Sequence, residues 1–171
     1  MNMIESLILN KIISAVDSRY FESAEMSLRE NSEKASYNSI VIQPSPTAYR
    51  QTSPSEVLFC RVKTKGNINY ISFPSNRKSD IDKLGFEYSN VSSDDFLRID
   101  IDRFLNREPD ELFNRVMSDV FLKSFSFPTF GCCSRYKQCS QVGKCIHPDM
   151  LYATACMYKQ NLDSGKVFYK D

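Results

Sequence analysis

Five of the six cysteines of this 171-residue chain lie in one short segment, positions 132 to 156. Five residues separate Cys133 from Cys139, five separate Cys139 from Cys145, and ten separate Cys145 from Cys156. Thiolates are preferred zinc ligands, and a structural zinc site is closed by four ligands in a tetrahedron. The spacing therefore predicts that Cys133, Cys139, Cys145 and Cys156 bind one zinc ion, three from a loop and the fourth from a following helix.

The charges near these cysteines favour the same prediction. Four thiolates around one divalent cation leave a local charge of about −2, which neighbouring cations must balance. Arg135, Lys137, Lys144 and Lys159 are placed to balance it and to donate hydrogen bonds to sulfur. The loop has few large apolar side chains, so we expect the metal to order it, since structural zinc contributes roughly 10 kcal/mol or more of apparent binding free energy.

Other interpretations of the cysteines stay open. A free cysteine is often a small buried side chain, which is the preferred interpretation for Cys60 on a predicted strand. An iron–sulfur cluster also takes four cysteines, although this spacing differs from the short CxxC runs of ferredoxins. Adjacent cysteines seldom reach one ion, so Cys132 is either the ligand in place of Cys133 or a packed thiol. His147, the only histidine, is a capping side chain or an alternative ligand to Cys156.

The densest group of carboxylates is Asp94, Asp95, Asp100 and Asp102. Such a group can bind magnesium, as nucleases require. The segment IDIDRF offers no lysine partner, however, and a solvated acidic edge is the preferred interpretation. The chain also has no phosphate-binding glycine loop and no zinc-protease or serine-hydrolase motif. The sequence therefore predicts a protein without catalytic residues.

The chain carries 22 basic and 21 acidic residues, a net charge of +1. This balance argues against a mimic of nucleic acid and against a strongly basic nucleic-acid binder. The basic excess lies near the cysteines and is interleaved with aromatic residues, a pattern that fits either single-stranded nucleic acid or packing around a metal site. The residues concerned are Arg135, Tyr136, Lys137, Tyr158, Lys159, Phe168, Tyr169 and Lys170.

The N-terminal segment is apolar in part, but Glu5, Asn10 and Lys11 interrupt it before a secretory core is complete. No apolar run approaches the roughly 20 residues that a membrane span requires. We therefore expect a cytoplasmic protein with no membrane partner. We do not expect its cysteines to form disulfides, because that compartment is reducing.

Hydrophobic periodicity predicts three helices. The first covers residues 3–20, the second begins near Pro109, which suits a first helical turn, and the third runs from Pro148 to Leu162 and carries Cys156. The first two are expected to bury apolar stripes at helical spacing. These are Ile4, Leu7, Ile8, Ile12, Ala15 and Val16 in the first, and Leu112, Phe113, Val116, Met117, Val120 and Phe121 in the second.

Alternation predicts a β-hairpin in which residues 57–63 pair with residues 68–73 and Leu58, Cys60 and Val62 share one face. FEYSNV and FLRIDI add two strands, while residues 22–55 are expected to be mostly loop with a short strand around Val41. The predicted fold class is α+β. A small antiparallel sheet with flanking helices forms a body over residues 1–128, and a cysteine-rich metal-binding subdomain with a C-terminal helix follows over residues 129–171.

The run FGCCSRY, followed by CS, CIHPD, YAxxC and GKVFY, resembles a cysteine-rich tail of small bacterial and phage proteins over about residues 130–170. In that tail the second cysteine of the pair, here Cys133, is the implied ligand. By its size, its metal-binding end and its lack of enzyme motifs, the whole chain resembles phage-encoded anti-CRISPR proteins that act on Cas9.

The resemblance implies a non-catalytic inhibitor that binds the Cas9 effector protein or its guide RNA complex in the bacterial host cytoplasm. It carries over no partner-binding residue, since such proteins share no common fold. The alternative is a metal-stabilised nucleic-acid-binding or nuclease-accessory module. Salt dependence separates the two, because phosphate contacts weaken steeply as ionic strength rises.

Overall fold

The structure is a computed structural model that describes residues 1–22, 24–44, 56–89 and 95–124. In these ranges five strands form one antiparallel sheet in chain order, which confirms the predicted α+β class there. The strands are β1 (Ala24–Arg29), β2 (Asn38–Pro44), β3 (Val57–Lys63), β4 (Tyr70–Pro74) and β5 (Phe96–Asp100). The helices are α1 (Met3–Ala15), α2 (Lys78–Ile81), α3 (Ile101–Asn106) and α4 (Glu111–Ser124), with 3-10 turns at Ser18–Glu22, Ser75–Arg77 and Asp82–Leu84.

Helix α1 begins with a capping box and ends earlier than predicted. Asn2 accepts a hydrogen bond from the Glu5 backbone N–H, and the Glu5 carboxylate accepts one from the Asn2 backbone N–H, both at 2.9 Å. The helix stops at Ala15 rather than residue 20, because Val16 is extended and the next N–H, of Asp17, donates to Ser118 Oγ of α4.

The buried stripe of α1 is also rotated from the predicted one. Ile4 and Leu7 are 37% and 51% exposed, whereas Leu9 is buried. The predicted stripe was wrong at these positions, because the helix turns Glu5 toward the sheet to meet polar groups of β2 and the β3–β4 turn. The buried residues of the helix are Glu5, Ile8, Leu9, Ile12 and Ala15.

The prediction that residues 22–55 are mostly loop was wrong for the first part of that stretch. Strand β1 pairs with β2 over six residues, from Ala24 opposite Pro44 to Arg29 opposite Ser39. Its sequence, AEMSLR, contains none of the β-branched or aromatic residues that are enriched in strands. Pairing with the strongly β-forming β2 and burial of Met26 override that local preference.

The predicted hairpin of β3 and β4 is confirmed, with Gly66 at φ 109° in its turn. A β-bulge at the start of β3 places Leu58 on the sheet face opposite to that of Cys60. Cys60 lies opposite Ile40 and Leu58 lies opposite Val41, so β3 has one residue more than β2 between these two pairs. The extra residue, Phe59, is buried in the core. Leu58 lines a surface cavity with Arg61 instead, so its predicted place beside Cys60 and Val62 was wrong.

Strand β5 is confirmed, but the strand predicted for FEYSNV does not form over residues 86–89. This segment makes one backbone bond to β5, from Ser89 N–H to Arg98 O at 2.9 Å, and no ladder. It follows α2 and a turn in which Gly85 has φ 74°. Its remaining residues, 90 and 91, lie outside the described residues.

Helix α4 confirms the second predicted helix. Asp110 Oδ1 accepts from the Phe113 backbone N–H at 2.9 Å, which caps its first turn. All of its predicted stripe is buried except Leu112, which is 38% exposed. The buried side chains of all four described helices join one core on a single face of the sheet. No described helix has the length and apolar character needed to cross a membrane.

Candidate functional site: an arginine row on the sheet

The residues predicted to bind zinc, Cys133, Cys139, Cys145 and Cys156, lie outside the described residues, as do Cys132, His147 and the boundary at residues 128 and 129. The zinc site, its iron–sulfur alternative and the C-terminal subdomain therefore stay predictions. Within the described ranges, no three His, Cys, Asp or Glu side chains group as metal ligands would. Cys60 is fully buried in the core, as expected for a packed thiol, and burial raises the pKa of its thiol well above the usual value.

The described aspartates of the predicted acidic edge are exposed, and two of them make hydrogen bonds that support local structure. Asp100 caps α3 by accepting from the Arg103 backbone N–H at 3.2 Å. The Asp95 carbonyl accepts from the Ser75 N–H at 2.8 Å, and Asp102 is exposed on α3. Asp94 lies outside the described residues. The three aspartates that are described fit the solvated-edge interpretation.

The sheet face opposite the core carries a line of polar side chains that crosses all five strands. Arg29 lies opposite Ser39, Ser39 opposite Arg61, Arg61 opposite Ser72, and Ser72 opposite Arg98. Directly opposed residues of an antiparallel pair share one face of the sheet. We call these five residues the arginine row. Its arginines are two strands apart, which corresponds to about 10 Å.

The row alternates long cations with short hydroxyls. Ser39 and Ser72 are 3% and 1% exposed, whereas Arg61 and Arg98 are half-buried and Arg29 is exposed. A short side chain between two long ones lies below the level of their charged ends. The guanidinium groups therefore form the outer surface of the row.

Aromatic rings hold the two inner arginines. The Arg61 guanidinium carbon lies 4.4 Å from the Tyr37 ring centroid and 3.7 Å from that of Phe96. These rings come from opposite sides of β3, one beside β2 and the other on β5. The Arg98 guanidinium carbon lies 4.3 Å from the Tyr70 ring centroid. Cation–π contacts of this kind act on the face of a guanidinium and fix its plane.

Further charged contacts surround the row. Arg29 at its end forms an ion pair with Glu56. Lys63 lies beside the row with its ammonium 5.8 Å from the Tyr70 ring centroid. Arg61 and Arg98 also make interactions besides the ring contacts given above. A guanidinium has five N–H donors, so it can serve several acceptors at once.

A cavity of about 360 Å³ opens beside Arg61, between the row and the β1–β2 connection. Asn31 orders its wall, because its side-chain amide donates to the Tyr37 carbonyl at 2.9 Å and to Ser39 Oγ at 3.2 Å. The other lining residues are Arg29, Ser32, Ala35 and Leu58. The cavity is polar, and two of its side chains are cations.

A second cavity, of about 520 Å³, lies at the start of α1. Its buried carboxylate, Glu5, already accepts from the Asn2 backbone N–H and from Asn38 Nδ2, each at 2.9 Å, and lies 3.4 Å from Thr64 Oγ1. These bonds tie α1 to β2 and to the β3–β4 turn. These structural hydrogen bonds therefore explain why the Glu5 carboxylate is buried.

The arginine row was not predicted from the sequence. Alternation within single strands does place Arg61 and Lys63 on the face opposite Val62, and Arg98 on the face opposite Ile99. The alignment of residues from five strands depends on registers that no single strand reveals. The chain matches no protein-family description, no curated protein and no solved structure.

Proposed function

We propose that this protein is a non-catalytic binding protein that holds the phosphate backbone of a nucleic acid on the sheet face opposite the core. The observation that carries the proposal is the arginine row, with Arg61 and Arg98 braced by aromatic rings. Arginine forks match phosphate oxygens in geometry as well as in charge. A guanidinium that is already oriented loses less entropy when it binds.

The repetition of charge favours a nucleic acid over an acidic protein surface. The backbones that carry the arginines of the row are two strands, or about 10 Å, apart along a line. A nucleic acid backbone supplies anionic groups at regular intervals along its length. Carboxylates on a folded protein follow no such repeat. The net charge of +1 does not oppose the proposal, because binding depends on the local field of one face.

The proposed biological setting is inhibition of Cas9, as the resemblance to anti-CRISPR proteins implies. A Cas9 complex contains guide RNA and displaced DNA, so a phosphate-binding face has partners there. The predicted zinc tail would act as a scaffold beside the described body. Stoichiometric, rather than catalytic, inhibition is expected.

The proposal is tested by fluorescence anisotropy with labelled single-stranded RNA, single-stranded DNA and duplex DNA. If three arginines contact phosphates, the logarithm of the binding constant falls with the logarithm of salt concentration with a slope of about −2 to −3. Raising salt from about 50 to about 200 mM then weakens binding roughly 16- to 64-fold. Absence of binding to all three nucleic acids at the lower salt concentration would overturn the proposal.

A charge-matched pair of variants locates the binding surface. Arg61→Gln combined with Arg98→Gln removes two charges from the row and is expected to reduce the salt slope by about two. Arg103→Gln combined with Arg115→Gln removes the same charge from exposed helix positions. Equal losses in both double variants would mean that net charge, not the row, drives binding.

The inhibitory setting and the zinc tail need their own measurements. Target cleavage by Cas9 with guide RNA should fall to near zero at a small molar excess of this protein, whereas activity at catalytic ratios would indicate an enzyme. Elemental analysis of protein purified without added metal should give one zinc per chain. Cys145→Ser should lose that zinc, and Cys60→Ser should keep it.

A further inference from the structure

The turn between β3 and β4 is held at both ends and exposed at its tip. Thr64 Oγ1 accepts a hydrogen bond from Asn2 Nδ2 at 2.7 Å, and the Asn69 carbonyl accepts one from the Ile101 N–H at 3.4 Å. These bonds attach the turn to the start of α1 and to the start of α3. Residues 65–68 between them are all exposed. The turn therefore presents its tip to solvent from an anchored position at one end of the sheet.

The turn carries two lysines, Lys63 and Lys65, that form no ion pair with any residue in the described ranges. The Lys63 ammonium lies 5.8 Å from the Tyr70 ring centroid, and its stem passes Gly66, where an added Cβ would lie 3.7 Å from Lys63 Cε. Lys65 is exposed at the tip. Both lysines can therefore bind an anionic ligand without giving up an ion pair to a described residue.

The Tyr70 ring connects these lysines to the arginine row. Its centroid lies 4.3 Å from the Arg98 guanidinium carbon and 5.8 Å from the Lys63 ammonium. Lys63 follows Arg61 by two residues, so alternation places it on the same face of the sheet, about 7 Å along the strand. Asp100 lies opposite Tyr70, but its carboxylate caps α3. The cations of the row thus continue along β3 to the turn.

Ile68 places an apolar side chain beside the two lysines. It is 68% exposed, although Ile71 in the adjoining strand is fully buried. Proteins that bind nucleic acids use exposed aliphatic side chains against bases, where they partly unstack a base step. A nucleic acid presents phosphates and apolar base surfaces side by side, whereas a small anion offers the charge alone. The chemistry of the turn therefore fits a nucleic acid.

We propose that the β3–β4 turn is a second nucleic-acid contact, in which Lys63 and Lys65 bind phosphates and Ile68 packs against a base. The inference rests on the proposed function for the class of ligand. It extends the contact from the arginine row to the end of the sheet. It also raises the number of cations that face the ligand from three to five.

The first experiment measures the salt dependence of binding to duplex DNA by fluorescence anisotropy. Five cations predict a slope of about −4 to −5 for the wild-type chain, against about −2 to −3 for the row alone. Lys63→Gln combined with Lys65→Gln should make the slope shallower by about two. Arg103→Gln combined with Arg115→Gln removes the same charge from exposed helix positions and should leave the slope unchanged. A slope that the two lysine substitutions do not alter would overturn the inference.

The second experiment tests the apolar contact. Ile68→Ala removes no charge, so it should weaken binding roughly three- to ten-fold at an unchanged salt slope. Leu112→Ala, at a 38% exposed position of α4, is the matched control and should bind like the wild-type chain. A 2-aminopurine base in the duplex should become more fluorescent with the wild-type chain than with Ile68→Ala, because the side chain unstacks it. Thermal unfolding of each variant shows that the fold is kept. Equal binding by Ile68→Ala and the wild-type chain would contradict the proposed contact.

Variants of the row and of the turn separate this inference from the proposed function. If Arg61→Gln with Arg98→Gln weakens binding while the lysine and isoleucine variants bind like the wild-type chain, the turn is wrong and the function stands. If only the turn variants lose affinity, the turn stands and the row is wrong. If no nucleic acid binds to the wild-type chain, both are overturned.

Discussion

The two faces of the sheet are built by the same five strands and carry opposite kinds of side chain. On the core face, Ile71, Phe73 and Ile99 are completely buried against the helices. On the face opposite the core the arginine row replaces them. Successive residues of a strand point to opposite faces, so one short sequence can both stabilise the fold and present a binding surface. Changes on one face should therefore alter stability, and changes on the other should alter binding.

The largest effect is expected from Phe73→Ala on the core face. Phe73 is fully buried, with the rings of Phe59 and Phe104 at 5.8 and 6.2 Å between centroids. Loss of the ring leaves a cavity and should cost about 3–5 kcal/mol of unfolding free energy, measured by urea denaturation. The matched control is Phe96→Ala on the face opposite the core, where about 1 kcal/mol is expected. Similar losses of unfolding free energy in the two variants would contradict the expected difference between the two faces of the sheet.

Glu5→Ala should give the next largest effect, because Glu5 is a polar residue among the buried residues of α1. Its removal leaves Asn38 Nδ2 and the Asn2 N–H without their acceptor and breaks the capping box. The expected cost is about 2–3 kcal/mol of unfolding free energy. Glu5→Gln keeps an acceptor oxygen and should cost less, by the same urea measurement. Equal losses in the two variants would show that the hydrogen bonds do not matter.

The buried thiol of Cys60 is expected to have a smaller effect on the free energy of unfolding, and this effect depends on pH. Burial raises the pKa of its thiol, so the folded chain keeps the proton at a pH where the unfolded chain, with a pKa of about 8.5, loses it. The unfolded state then binds fewer protons, and stability falls as pH rises above about 8.5. At pH of about 10 the loss should be roughly 2 kcal/mol.

The control for this pH dependence is Cys60→Ala, which removes the thiol. Wild-type and variant unfolding free energies are compared between pH of about 7 and about 10. The wild-type value should fall more steeply by the amount given above. Parallel curves for the two chains would mean that the Cys60 thiol reaches solvent in the folded state.

Arg98→Gln is expected to have the smallest effect on stability. The side chain is half-buried and contacts the Tyr70 ring, a contact worth about 1 kcal/mol or less. The same variant should weaken nucleic-acid binding several-fold, because it removes one phosphate contact. Urea denaturation and anisotropy on one preparation measure both quantities. A large loss of stability would show that the arginine row holds the sheet together.

Local patterns were sufficient for most individual elements. The stripe of α4 and the alternation in β3, β4 and β5 predicted their positions because burial imposes a period of about 3.6 or of 2 on the sequence. Strand β1 was missed because its residues favour other conformations and only its pairing with β2 makes it a strand. The rotation of α1 was missed because burying Glu5 is favourable only when Asn38 and Thr64 supply donors from distant positions.

The sequence by itself determined which residues of β4 and β5 lie together on one side, since neighbouring side chains alternate wherever a strand has no bulge. It also determined the clustering of the cysteines and therefore the zinc prediction for residues 129–171. Only the tertiary structure decided that Arg29, Arg61 and Arg98 fall into one line with Ser39 and Ser72 between them. The physical reason is that register depends on turn lengths and on the bulge at Phe59, and a shift of one residue in any strand would move its member of the row to the core face.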